Sequence, residues 1–162
     1  MKHQWLLREC TSNDQDFLWE MLYEALWDAP NERRRPRSVL QEPAIRRFVE
    51  YWGRPEDYGL IAYKEDGTEV GAIWTRLDGY DRSDGFGCGY PCIGIAVVDS
   101  YQGKGLGKAL LGHLITSLRG RADGLRLGVN PMNTPAIALY RKFGFTEYAT
   151  GGGNYPQMKL SI

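Results

Sequence analysis

Tyr101-Gln102-Gly103-Lys104-Gly105-Leu106-Gly107-Lys108-Ala109 stands between an apolar run at 93–98 and a helix-forming run at 110–118. A strand that enters a glycine-rich turn and leaves it as a helix has several backbone N–H groups without intrahelical partners. The helix dipole adds positive potential at the same place. A junction of this kind suits a phosphate or diphosphate. Each glycine also adds chain freedom that folding must remove, so Gly103, Gly105 and Gly107 imply a geometric need rather than a merely flexible turn.

Two common phosphate loops fail on spacing. A P-loop requires Gly, four residues, then Gly-Lys-Ser/Thr. Counting back from Gly107-Lys108 puts Gln102 where the first glycine belongs and Ala109 where the hydroxyl belongs. Without that hydroxyl there is no evident magnesium ligand, and nucleotide hydrolysis loses its main support. The dinucleotide pattern Gly-x-Gly-x-x-Gly fails too, because its third glycine falls on Lys108 or on Leu110.

The spacing Gln-x-x-Gly-x-Gly, carried by Gln102, Gly105 and Gly107, resembles the acyl-CoA diphosphate loop of the GCN5-related N-acetyltransferase superfamily. A second signature follows. Asn133, Ala136, Leu139-Tyr140 and Phe143-Gly144-Phe145 are similar to that family's Asn-x-x-Ala-x-x-Leu-Tyr-x-x-x-Gly-Phe, with a strand-like run at 125–129 between the two. The likeness is tightest over 93–145 and looser outside it. It implies an α/β (α+β) acyl-CoA N-acyltransferase fold, with a mixed, mostly antiparallel sheet and helices on its faces. A single N-acetyltransferase domain would occupy 1–162. Acetyl-CoA would be the cosubstrate, the acceptor a primary amine of a small molecule or peptide, and the assembly a homodimer. A non-catalytic acyl-CoA sensor on the same fold is the alternative.

The resemblance also implies roles. The loop from Gln102 through Gly103, Lys104, Gly105, Leu106 and Gly107 to Lys108 would hold the diphosphate. The two lysines could add charge-assisted contacts or stand in solvent. Pantetheine would lie along Ile95, Ala96, Val97 and Val98 in the manner of an added strand, where the fourth and fifth strands part. The thioester carbonyl would accept a backbone N–H near Val97. Tyr140 is the candidate general acid for the departing thiolate, since a phenol with a pKa near ~10 can protonate it; its alternative is a core tyrosine. Asn133 binds CoA or caps a helix.

The general base is harder to find. Many members of the family carry a glutamate early in the fourth strand, whereas this chain has Tyr90-Pro91-Cys92. Deprotonation through ordered water to a backbone carbonyl or to Tyr90 remains, with Glu24 as a weaker option. Tyr23, Trp27, Trp74, Tyr80 and Tyr90 are candidate acceptor-binding residues, each also readable as core. Acetyl transfer needs no metal, and neither histidine has metal-ligand company.

A length of 162 residues suits one domain with its own core. Basic and acidic residues balance at 20 each, which argues against nucleic acid as the main partner. Arg33-Arg34-Arg35 and Arg37 form a local basic cluster beside Asp28 and Glu32, read as a solvated loop or as a place where an acidic acceptor is met. Three cysteines without metal-like spacing read as free thiols in a reducing compartment. No run approaches the ~18 apolar residues of a membrane span, and a cytoplasmic protein is the expectation.

Periodicity and turn residues place a strand at 5–8 and a helix capped by Thr11, Ser12 or Asn13. A second helix is expected over 39–51, then a hairpin of strands at 58–63 and 69–77. The loop 78–89 reads as exposed and mobile, followed by a strand at 90–98 and the helix from 105 to 118. A strand at 125–129, a helix capped by Thr134 ahead of Pro135, and strands at 145–148 and 157–160 complete the order β-α-α-β-β-β-α-β-α-β-β.

Overall fold

The computed structural model describes residues 4–77, 89–151 and 154–162. The expected loop at 78–89 therefore lies outside the described residues except for Gly89, and Tyr80 lies outside them altogether. Seven strands form one sheet: β1 (Leu6–Glu9), β2 (Tyr58–Tyr63), β3 (Glu69–Arg76), β4 (Cys92–Val97), β5 (Gly124–Gly128), β6 (Thr146–Thr150) and β7 (Pro156–Ser161). Their spatial order is β1-β2-β3-β4-β5-β7-β6, antiparallel everywhere except the parallel β4–β5 pair. The helices are α1 (Gln15–Ala25), α2 (Pro43–Arg46), α3 (Leu106–Leu118) and α4 (Thr134–Lys142). Element order agrees with the sequence reading.

Helices on both faces explain why β2 and β3 are almost continuously buried instead of alternating. One core layer packs Leu106, Leu110, Leu111 and Leu114 of α3 against Ile73, Ile93, Leu125 and Leu127. The other packs Leu18, Met21 and Leu22 of α1 against Ile61, Ala72, Trp74 and Ala96. The spacing of those leucines gives each helix one apolar stripe. Ahead of α1, Thr11 and Asp14 form a capping box, with Thr11 N–H donating to Asp14 at 2.7 Å and Arg8 pairing with the same carboxylate at 2.7 Å.

Two helix expectations need correction. The run expected to be helical over 39–51 breaks into a 3-10 turn (Arg37–Gln41) and the four-residue α2. Pro43 is the cause: it pushes Glu42 to an extended ψ of 129° and cannot donate an N–H to a preceding turn. The cap of α4 is Asn133 and not Thr134; the Asn133 side-chain oxygen accepts from Ala136 N–H at 3.4 Å, and Pro135 sits inside the first turn. Strand ends shift by one or two residues, the fourth strand beginning at Cys92 and not at Tyr90.

One buried ion pair fastens the segment after α2 to the sheet. Arg76, at the end of β3, makes two bonds to Asp57 at 3.0 and 2.7 Å and donates to the carbonyls of Arg47 and Glu50. Both side chains are nearly inaccessible, at 1% and 3%. Fork geometry and full hydrogen bonding are what make such a burial tolerable.

Candidate active site

The parallel β4–β5 pair is joined at a single register position, Cys92 opposite Arg126, helped by Arg126 N–H donating to Pro91 O at 3.1 Å. Past that point the two strands part toward their carboxyl ends. Val98 N–H donates to Val70 O on the β3 side. By strand alternation the backbone groups of Ile95 and Val97 face the other way, into the gap. That is the edge on which an added strand could pair. The side chains of Ile95, Val97 and Val98 pack at the core margin and Ala96 is buried under α1, so only the backbone of this stretch is free to act.

The glycine turn stands at the mouth of the gap. Gly103 has φ 73° and Gly105 φ 85°, left-handed values that favour glycine, and a Cβ at either would meet nothing within 4 Å. Backbone shape, not crowding within the protein, selects glycine there. Gly107 is different: it lies inside α3, where a Cβ would only touch Leu139 at 3.8 Å. The first backbone bond of the helix runs from Ala109 N–H to Gly105 O at 3.1 Å. Ahead of it, the N–H groups from Gly103 to Lys108 find no backbone acceptor among the described residues. Gln102 shapes the turn: its Nε2 donates to Val97 O at 3.1 Å and to Asp99 at 3.2 Å, tying the loop to the end of β4. Lys104 is exposed and lies over the Tyr101 ring at 4.8 Å, and Lys108 is exposed on the first turn of α3. A groove of about 660 Å³ continues along α3, lined by Lys104, Gly105, Lys108, Gly112, His113 and Phe143 among others.

Tyr140 lies on α4 with its ring centroid 5.7 Å from that of Phe145. Burial pushes its phenol up to about 12, with a smaller electrostatic contribution from the Cys92 thiol. Tyr140 belongs to the core cluster that also holds Ile93 of β4 and Leu125 and Leu127 of β5, the two strands that part at the gap. No hydrogen bond to its hydroxyl is found among the described residues. Asn133 spends its side-chain oxygen on the α4 cap.

The acceptor-side residues are placed unequally. Tyr23 is half-buried; its hydroxyl donates to Arg35 O at 2.5 Å, and the guanidiniums of Arg34 and Arg37 lie 4.3 and 4.7 Å from its ring centre. Trp27 is half-buried just after α1. Trp74 is 1% exposed, its indole resting where a Cβ on Gly94 would be, so it forms floor and not open wall. Tyr90 sits at the closed end of the sheet, against Gly124 and with its hydroxyl 2.8 Å from that of Ser161. The Cys92–Arg126 pair separates it from the opening, which removes it from a proton path through the gap. Glu24 is paired with Arg34 at 3.0 Å.

Sequence reasoning missed one cluster. Along β5, Leu125, Leu127 and Val129 face the α3 core, which turns Arg126, Gly128 and Asn130 to the α1 face. There Asn130 Nδ2 donates to the Tyr155 hydroxyl at 3.0 Å, and Arg35 Nη2 donates to the same oxygen at 3.2 Å. Arg35 is itself held by Asp28 through Nε at 3.0 Å and backbone N–H at 3.1 Å. A chain separation of 120 residues between Arg35 and Tyr155 leaves no local pattern to read.

A mixed sheet with one parallel pair, splayed beside a glycine turn, defines a fold class shared with known acyltransferases. Residues 19–145 match the family described as acetyltransferase (GNAT) family, and the chain belongs to it. It is 36% identical over 116 residues to the mycothiol acetyltransferase of Arthrobacter sp. strain FB24, covering 68% of this chain and 34% of that protein. It is 48% identical over 63 residues to the [ribosomal protein bS18]-alanine N-acetyltransferase of Escherichia coli K12, covering 38% of this chain and 43% of that one. The chain thus spans less than half the length of these curated relatives. In structure it is similar to the ribosomal-protein-alanine N-acetyltransferase of Brucella melitensis, with a TM-score of 0.69, 23% identity, and coverage of 97% and 99%. The fold expectation is borne out. No described helix is long and apolar enough to cross a membrane.

Proposed function

We propose that this protein transfers an acetyl group from acetyl-CoA to a primary amine of a small molecule or peptide, by direct attack. The observation that carries the reading is the run of N–H groups from Gly103 to Lys108, without a backbone acceptor among the described residues, at the mouth of the β4–β5 gap. A diphosphate seated on those amides and on the dipole of α3 lets the pantetheine arm enter the gap beside the backbone of Ile95 and the Val97 N–H. The groove along α3 gives the nucleotide end a place to lie.

In the reaction the neutral amine attacks the thioester carbonyl, whose oxygen accepts the Val97 N–H. The C–N bond forms, the C–S bond breaks, and the thiolate takes its proton from the Tyr140 hydroxyl. The excess proton on nitrogen leaves to water, and solvent returns one to Tyr140. A phenol held near 12 by burial is protonated at every working pH, as an acid must be at the start of the cycle. The names of the relatives, mycothiol acetyltransferase and [ribosomal protein bS18]-alanine N-acetyltransferase, support acetyl transfer while leaving the acceptor open. The family resemblance also favours a homodimer, which light scattering would read.

The test is free-thiol release from acetyl-CoA with a mixed amine panel, using Gly105→Glu as control. Release by the native protein and none by the variant is expected. CoA binding without release on any amine would favour a sensor; loss of CoA binding by the native protein would end the loop assignment.

A further inference from the structure

The chain between α1 and Val39 is held in an unusual way. It is bounded by buried Ala29 and Val39, yet from Pro30 to Ser38 no side chain is buried. Charge takes the place of apolar packing there. Glu20 and Glu24, one turn apart on α1, pair with Arg37 and with Arg34, the latter at 3.0 Å. Asp28, farther along the chain, pairs with Arg35 at 3.0 Å and accepts the Arg35 backbone N–H at 3.1 Å. The Tyr23 hydroxyl donates to Arg35 O, and the guanidiniums of Arg34 and Arg37 lie over the Tyr23 ring. Exposed ion pairs are individually weak and are screened by salt, so this segment is fastened by contacts that ions can loosen.

Its position gives the fastening a consequence. Helix α1 packs over Trp74 of β3 and Ala96 of β4. From the segment beyond it, Arg35 Nη2 donates to Tyr155 Oη at 3.2 Å, and Asn130, just past β5, donates to the same oxygen. The link therefore runs from the helix over β4 to the ends of β5 and β7, across the α1 face of the opening. The opposite face is filled by Tyr140, Ile93, Leu125 and Leu127. A thioester lying in the gap as an added strand has its carbonyl in the plane of the sheet. Attack comes perpendicular to that plane, and so from the α1 face.

We propose that residues 30–38 are a charge-latched strap that closes the entrance for the amine. It releases, by breaking the Arg35–Tyr155 bond and the ion pairs to α1, before the acceptor enters. This rests on the acetyl-transfer reading above. A site that is open for only a fraction of the time has its apparent affinity reduced by that fraction, so loosening the latch speeds capture of the amine.

The experiment reads the latch and the gate separately. Hydrogen exchange of the Arg35 amide, which Asp28 holds, is followed by NMR in the native protein, in Tyr155→Phe and in Glu20→Gln/Glu24→Gln. Native exchange should quicken about tenfold between about 20 mM and about 500 mM NaCl, and both variants should exchange faster than the native protein at low salt. Acetyl transfer is then measured at low salt with the amine of the panel that the native protein acetylates fastest. In both variants kcat/KM for that amine should rise about threefold, with KM for acetyl-CoA unchanged. Tyr155→Phe alters no charge, so a rise there is not a change in attraction for a cationic amine. Contacts that serve stability alone would leave kcat/KM level or lower it, and that result overturns the gate. Exchange that ignores both salt and the substitutions overturns the latch. Absence of transfer to any amine would overturn the acetyl-transfer reading and the gate with it, while exchange would still show whether charge holds the strap.

Discussion

The glycine turn and the Tyr155 rim flank the same gap and are made in opposite ways. The turn spans only residues 97–109, and its polar groups are backbone amides shaped by two left-handed glycines and one glutamine. The rim draws Tyr23, Arg35, Asn130 and Tyr155 from four separate segments, and its polar groups are side chains. A backbone site serves a ligand that does not vary, such as a diphosphate. A side-chain cluster held by long-range contacts can be altered by single substitutions.

That contrast can be broken at several points. The α1 side depends on tertiary fastening, so Asp57→Ala, which strands the buried Arg76 charge, should cost about 3–5 kcal/mol in urea unfolding. A loss under ~1 kcal/mol would mean that the segment holds itself. On the turn, Gly105→Glu forces a side chain into a left-handed φ and opposes a phosphate; calorimetry should show CoA affinity lowered roughly 300-fold. Unfolding stability should move far less than in Asp57→Ala, and equal losses would erase the distinction between the regions.

Tyr140→Phe should lower chemistry-limited turnover about 100-fold with CoA affinity retained. Near-native turnover would remove this tyrosine from the mechanism. The acid form of a phenol raised to about 12 persists below that pH, so the alkaline fall in native turnover due to Tyr140 should come near 12 and not near 10. The smallest effect belongs to Asn133→Ala, about 1 kcal/mol of stability from a lost cap. A matching loss of CoA affinity would show that the same side chain also touches the ligand.

Legibility in the sequence followed the range of the contacts. The strand–turn–helix at 93–118 was readable because neighbours in the chain make it: apolar alternation, glycine spacing and a leucine stripe. The helix expected over 39–51 does not form because apolar spacing carries no information on the steric restriction at Pro43, which decides the backbone there. Tyr90 and Trp74 were plausible pocket aromatics by residue type. Their positions, one at the closed end of the sheet and one beneath Gly94, follow from register, which composition does not encode.

The family, the element order and the glycine turn were therefore already settled in the amino-acid order, since each depends on groups within about one strand–turn–helix of one another. Tertiary structure alone decided where β4 and β5 separate, that Tyr140 is buried in one cluster with Ile93 and Leu125, and that Arg35 and Asn130 meet on one tyrosine hydroxyl. The physical reason is directional. A hydrogen bond between side chains 120 residues apart exists only once the sheet has fixed both backbones, and no local preference announces it.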